Sequence, residues 1–107
     1  MQSWAAAWAA QDVERYLAHY LAGQSPDASL SRARWEKRRR IRLTKPGTVE
    51  VEVNNIKIQR ASADQVLATF VQDYRSDNYA DRVRKRLAMK RVGNDWKIIS
   101  ERTIAKL

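Results

Sequence analysis

The hydrophobic periods of this chain predict an α+β domain: two N-terminal helices packed on a curved, mainly antiparallel four-stranded sheet. Three observations carry that expectation. Apolar residues recur every three or four positions up to residue 44, and every second position from residue 48 onward. The dipeptides Asp77-Asn78 and Gly93-Asn94 cut the second half into lengths suited to hairpins. A chain of 107 residues holds one core and not two.

Residues 3–21 read as one amphipathic helix, with Trp4, Trp8, Val13, Tyr16, Leu17, Tyr20 and Leu21 along one stripe. Ser3 supplies an N-cap and Gly23 a stop, and residues 24–30 are loop by composition. Ser31 caps a second helix over 32–44, anchored by Trp35 with Ile41 and Leu43 near its end and basic elsewhere. Lys45-Pro46-Gly47 ends it. Val49, Val51 and Val53 then alternate with Glu50 and Glu52, the pattern of a half-buried strand. At Asn54-Asn55 the parity shifts, so that Ile56 and Ile58 continue the apolar set. The shift is either a tight hairpin turn or a bulge in one bent strand. Strands over 64–76, 79–92 and 95–104 complete the sheet.

A turn at Asp77-Asn78 sets Tyr74 opposite Asp81 and Gln72 opposite Val83, on one face with Val66, Ala68, Phe70, Lys85, Leu87 and Met89. The other face carries Thr69, Val71, Asp73 and Arg75 beside Arg82, Arg84 and Arg86. Here Asp73 meets Arg82, and the Gly93-Asn94 turn sets Arg86 against Glu101. Leu67, Val71, Ala88 and Ile99 interrupt the arginines of this outer face. An apolar centre with a charged rim suits a homodimer, or docking on a neighbouring domain.

The chain carries a net charge of +9, and residues 32–45 and 82–91 hold most of its 21 basic side chains. A basic helix beside Trp35 invites a nucleic-acid reading. The arginines are spread around the helix rather than lining one stripe, which favours an anionic protein or envelope partner instead. The absence of cysteine excludes disulfides, thiolate metal sites and a thiol nucleophile. His19 is the single histidine and reads as a surface or capping residue. The aspartates show no calcium-loop spacing, so neither metal nor cofactor is expected. No apolar run approaches the roughly 20 residues that span a bilayer, and the start lacks the basic and apolar regions of a signal peptide.

The run FVQDYRSDNYADRVRKRL, followed by GNDWKIISER, resembles the C-terminal accessory domain of bacterial L,D-transpeptidase-related and tetratricopeptide-containing envelope proteins. The W-x3-W start, Tyr16-Leu17-x2-Tyr20 and SRARWEKRRRIRL extend the resemblance over nearly the whole chain. That domain is a short member of the nuclear transport factor 2-like (NTF2-like, SnoaL-like) superfamily. The resemblance implies a curved sheet wrapped around helices with a pocket in the cone, and one continuous bent strand through Asn54-Asn55. It also implies a single domain, 1–107, of a longer exported protein in the periplasm or cell envelope, although the composition leaves the cytoplasm open. The fold hosts isomerases, hydrolases and pure binding modules alike.

Within such a cone, Gln72, Tyr74, Asp81 and Lys85 project from the sheet, while Trp8, Tyr16, Tyr20 and Trp35 come from the covering helices. Aromatic walls with a few convergent polar groups suit a small polar ligand such as a sugar or a peptide stem. The rival reading is a small enzyme with Asp81 as base, Tyr74 at an oxyanion site and Tyr16 as donor. Asp81 stands beside the turn and gains no obvious desolvation, so a non-catalytic accessory domain is the expectation.

Overall fold

The computed structural model describes residues 2–44 and 47–107. Three helices cover one face of a curved four-stranded antiparallel sheet, ordered β1-β2-β3-β4. The helices are α1 (Gln2–Ala9), α2 (Val13–Leu17) and α3 (Arg32–Leu43). The strands are β1 (Val49–Ser62), β2 (Gln65–Ser76), β3 (Tyr79–Val92) and β4 (Asp95–Lys106). The predicted fold class holds.

The single helix expected over residues 3–21 is in fact two. Gln11 takes a left-handed conformation, φ 58°, and its N–H donates to the Trp8 carbonyl at 2.9 Å. The Asp12 N–H donates to the Ala7 carbonyl at 3.0 Å, completing the bond pair that closes a helix at a left-handed residue. Asp12 then caps α2 by accepting the Arg15 N–H. The sequence trace of this break is the step of five between Trp8 and Val13, which no continuous stripe accommodates. The break turns Trp8 and Tyr16 inward together, with ring centroids 5.8 Å apart.

Ser31 caps α3 by accepting the Arg34 N–H, and Trp35 and Leu43 are its buried residues. The predicted stop lies mostly outside the described residues, at Lys45 and Pro46; Thr44 is the observed C-cap.

β1 is one strand with a bulge between Asn54 and Lys57, where Asn55 sits at φ 55°. The bulge excludes the hairpin. It also corrects the apolar set: Ile56 and Ile58 are 38% and 60% exposed, and β1 is exposed from Asn54 to its end. The described helices do not reach over this end of the strand.

The β2–β3 register is the one read from the sequence, with Ala68, Phe70, Gln72, Tyr74, Val83, Lys85 and Leu87 all buried. The β3–β4 register is not. A shift between Ala88 and Met89 sets Leu87 opposite Glu101 and Arg86 opposite Arg102. Strict alternation from the Gly93-Asn94 turn had placed Glu101 outside; one extra residue within Ile98-Ile99 moves it inside. The loop after α2 fastens the outer edge of β4, through Leu21 N–H to the Ile98 carbonyl and Ile98 N–H to the His19 carbonyl. On the outer face Val71 is already buried within the single chain, while Ile56 and Ile104, which line a groove there with Arg84 and Arg86, are exposed.

Candidate functional site

Two polar layers occupy the cone, one sealed and one open. The sealed layer centres on Glu101. Its Oε2 accepts from Lys85 Nζ at 2.5 Å and from Arg39 Nη2 at 3.3 Å, and its Oε1 accepts from the Tyr20 hydroxyl at 2.5 Å. The Tyr20 oxygen accepts in turn from Trp4 Nε1 and from the Tyr16 hydroxyl, each at 2.9 Å. The Tyr16 oxygen accepts from Arg39 Nη1 at 3.4 Å. The bonds thus run in one consistent direction and every member is partnered. Lys85 Nζ also lies 5.3 Å from the Trp8 ring centroid and 5.8 Å from that of Trp4.

Burial alone would push the Glu101 carboxyl up, but Lys85 and Arg39 outweigh it and hold the group down to about 2. Burial and then the Glu101 charge push the hydroxyls of Tyr16 and Tyr20 well above the ordinary tyrosine range. Burial also lowers Lys85, against the pull of Glu101. This layer is a structural hub: its groups are satisfied by one another and, apart from the partly exposed Arg39, closed to solvent.

The open layer is a cavity of about 240 Å³ at the mouth of the cone, lined by Trp8, Arg42, Gln72, Tyr74, Ser76, Tyr79 and Asp81. Cross-strand pairing brings Tyr74 against Asp81 and Ser76 against Tyr79. The Tyr79 hydroxyl donates to Asp81 Oδ2 at 2.8 Å, and this bond raises the Tyr79 pKa. Trp8 packs on Tyr74 with ring centroids 5.4 Å apart. Three buried polar atoms here, Trp8 Nε1, Gln72 Oε1 and Asp81 Oδ1, have no hydrogen-bond partner among the described residues. Gln72 is only 3% exposed. Burying an amide oxygen without a partner costs on the order of 1–3 kcal/mol, so its retention here asks for a reason.

The eight residues singled out from the sequence thus divide. Trp8, Gln72, Tyr74 and Asp81 line the mouth, while Tyr16, Tyr20 and Lys85 belong to the sealed layer. Trp35 is buried against Tyr20, with the guanidinium groups of Arg32 and Arg39 over its ring at 5.0 and 5.5 Å. The trio of Asp81, Tyr74 and Tyr16 does not assemble, because Tyr20 and Arg39 engage the Tyr16 hydroxyl beneath the mouth. Sequence reasoning missed Arg42 and Tyr79 at the mouth, and Arg39 and Glu101 below. Arg39 and Arg42 were hidden among identical neighbours in a basic run, and Glu101 was hidden by the bulge.

Comparison with known proteins follows the same lines. The family model of the Cds6 C-terminal NTF2-like domain matches residues 1–102. Bd1075 of Bdellovibrio bacteriovorus superposes with a TM-score of 0.87 at 27% identity, over 99% of this chain and 37% of that one. Pgp2, the helical cell shape determining protein of Campylobacter jejuni, gives 0.77 at 20% identity, over 94% and 37%. A proposed dehydratase of the NTF2-like family from Streptomyces avermitilis gives 0.80 at 14% identity, over 99% and 91%. The chain therefore spans 37% of the length of both Bd1075 and Pgp2. No curated protein sequence matches it. With the three-helix, four-strand cone and the match over residues 1–102, the chain belongs to the Cds6 C-terminal NTF2-like domain family.

Proposed function

We propose that this domain is a non-catalytic accessory module that binds a small polar ligand at the mouth of its cone. The observation that carries this reading is a cavity lined by Gln72, Trp8 and Asp81, each of which keeps one buried polar atom, Gln72 Oε1, Trp8 Nε1 and Asp81 Oδ1, without a hydrogen-bond partner among the described residues. The two carboxylates of the cone are both engaged: Glu101 by two cations and a tyrosine, Asp81 by Tyr79. Glu101 is closed off in the layer below, and Asp81 keeps only its Oδ1 without a partner among the described residues. A small enzyme working through Asp81 and Tyr74 is the alternative, favoured by the structural likeness to a proposed dehydratase.

The setting we propose is a cell-wall protein of the L,D-transpeptidase-related kind, in the periplasm or cell envelope, with this domain as one part of it. The likeness to a cell shape determining protein supports that setting, and no helix among the described residues is long and apolar enough to cross a membrane. The experiment is a titration of the ¹⁵N-labelled domain with uncharged sugars, amino acids and short peptides, reading the Trp8 indole N–H. A saturable shift at Trp8 supports a ligand site at the mouth; silence across all of them overturns it.

A further inference from the structure

The two edges of the sheet are treated differently. β4 is fastened at Ile98 by the loop after α2, whereas no backbone hydrogen bond among the described residues joins β1 to anything but β2. A bare edge of 14 residues is a template for a further strand unless its side chains forbid one.

The charges of β1 are sorted along its length. Glu50 and Glu52 lie before the bulge, and Lys57 and Arg60 after it. None of the four makes an ion pair among the described residues. Glu52 even stands opposite Asp73, a like-charge pair. An antiparallel copy of the same strand sets the acidic half of each against the basic half of the other.

The bulge makes the faces agree. Glu52 pairs with Asp73 and Lys57 with Thr69 on the outer face, while Val51 pairs with Tyr74 and Ile58 with Ala68 on the inner face. Outer residues are thus even-numbered before the bulge and odd-numbered after it. A two-fold axis between Asn54 and Asn55 then places Glu52 opposite Lys57 and Val51 opposite Ile58, each on its own face. Without the extra residue this register would set outer side chains against inner ones. Ile58, 60% exposed in the single chain, gains an apolar neighbour.

We propose that the free edge of β1 docks a second copy of this chain, making one continuous sheet of eight strands from two of four. A lipid surface does not fit, because hydrocarbon offers nothing to the bare backbone groups. A nucleic acid does not fit, because it meets Glu50 and Glu52. The contact is small and weak, since one strand from each copy carries it. No residue lining the mouth of the cone belongs to β1, and Arg84, Arg86 and Ile104 of the outer-face groove lie on β3 and β4, away from this edge.

The chain has no cysteine, so single cysteines report the register directly. Chains carrying Glu52→Cys are mixed with chains carrying Lys57→Cys under mild oxidation, and Val51→Cys is mixed with Ile58→Cys in the same way. Neighbouring pairs alternate between hydrogen-bonded and non-bonded, so the two mixtures cover both geometries. Opposite residues come within about 4.5–5.5 Å, inside disulfide reach, whereas two copies of residue 52 do not. The mixed disulfide is expected to exceed either symmetric one about tenfold or more in at least one mixture. In sedimentation, Lys57→Glu is expected to weaken self-association about tenfold or more, and adding Glu52→Lys to restore it. Disulfides in statistical proportions in both mixtures, self-association indifferent to Lys57→Glu, or a monomer at every concentration would each overturn the edge contact.

Discussion

Lys85 Nζ stands 2.5 Å from Glu101 Oε2 across β3 and β4, and the two side chains are only 7% and 4% exposed. The pair is not symmetric, because Glu101 also holds Arg39 whereas Lys85 has no second carboxylate partner among the described residues. Removing Glu101 strands two buried cations; removing Lys85 leaves Glu101 with Arg39 and Tyr20. Glu101→Ala is therefore expected to cost about 3–5 kcal/mol, and Lys85→Met clearly less. Urea melts of both variants check this ordering.

The same cluster fixes the direction of the pH response. Glu101 is held at about 2 in the folded chain against an ordinary 4.5. Its stabilising contribution is thus fully present above 4.5 and lost as the pH falls toward 2. Tyr16 and Tyr20 are raised above 10.0, so their contribution is present below that value and lost as the pH rises past it. Lys85, lowered by burial, acts oppositely: the cost of its charge is relieved as the pH rises. Between about pH 6 and about pH 3 the unfolding free energy is expected to fall by on the order of 2 kcal/mol on account of Glu101. Glu101→Gln should flatten that part of the profile.

How much of this was legible in the sequence depends on where the chain keeps strict alternation. The β2–β3 hairpin does, so Gln72, Tyr74 and Asp81 fell on the correct face and in the correct register. Alternation fails at Asn54–Lys57, Arg60/Ser62, Arg84/Lys85 and Ala88/Met89, where the pairing register shifts. Of these only the first was marked, by its asparagines. A bulge inside Ile98-Ile99 has no turn residue to announce it, and it decides where Glu101 points. The helix break at Gln11 was equally quiet, because glutamine rather than glycine takes the left-handed position.

The hairpin assignment has its own check. Phe70 is 1% exposed on the inner face, and Phe70→Ala should cost about 3–5 kcal/mol. Asp73, on the outer face, meets Arg82 at 3.5 Å with both side chains well exposed. Asp73→Ala should cost under about 1 kcal/mol. Equal losses in a denaturant melt would mean that the two faces are exchanged.

The outer face supplies a prediction about assembly. Ile56 and Ile104, 38% and 39% exposed, flank a groove with Lys57, Arg84 and Arg86, the mixed surface we propose for a homodimer or for a neighbouring domain. Sedimentation at rising concentration should show self-association that Ile104→Glu weakens. A monomer throughout, unchanged by that substitution, removes the dimer. Val71 is the wrong probe, being buried in the single chain.

The central claim is that Gln72 is buried for a ligand rather than for the fold. Gln72→Met keeps the length and volume of the side chain and deletes the unpartnered amide oxygen. The direct measurement is the stability of this variant beside its Trp8 titration with whichever small polar molecule binds the wild-type chain. The account expects stability unchanged or raised by up to about 1–2 kcal/mol, with binding weakened about tenfold or more. A variant that is destabilised yet binds as before would contradict it.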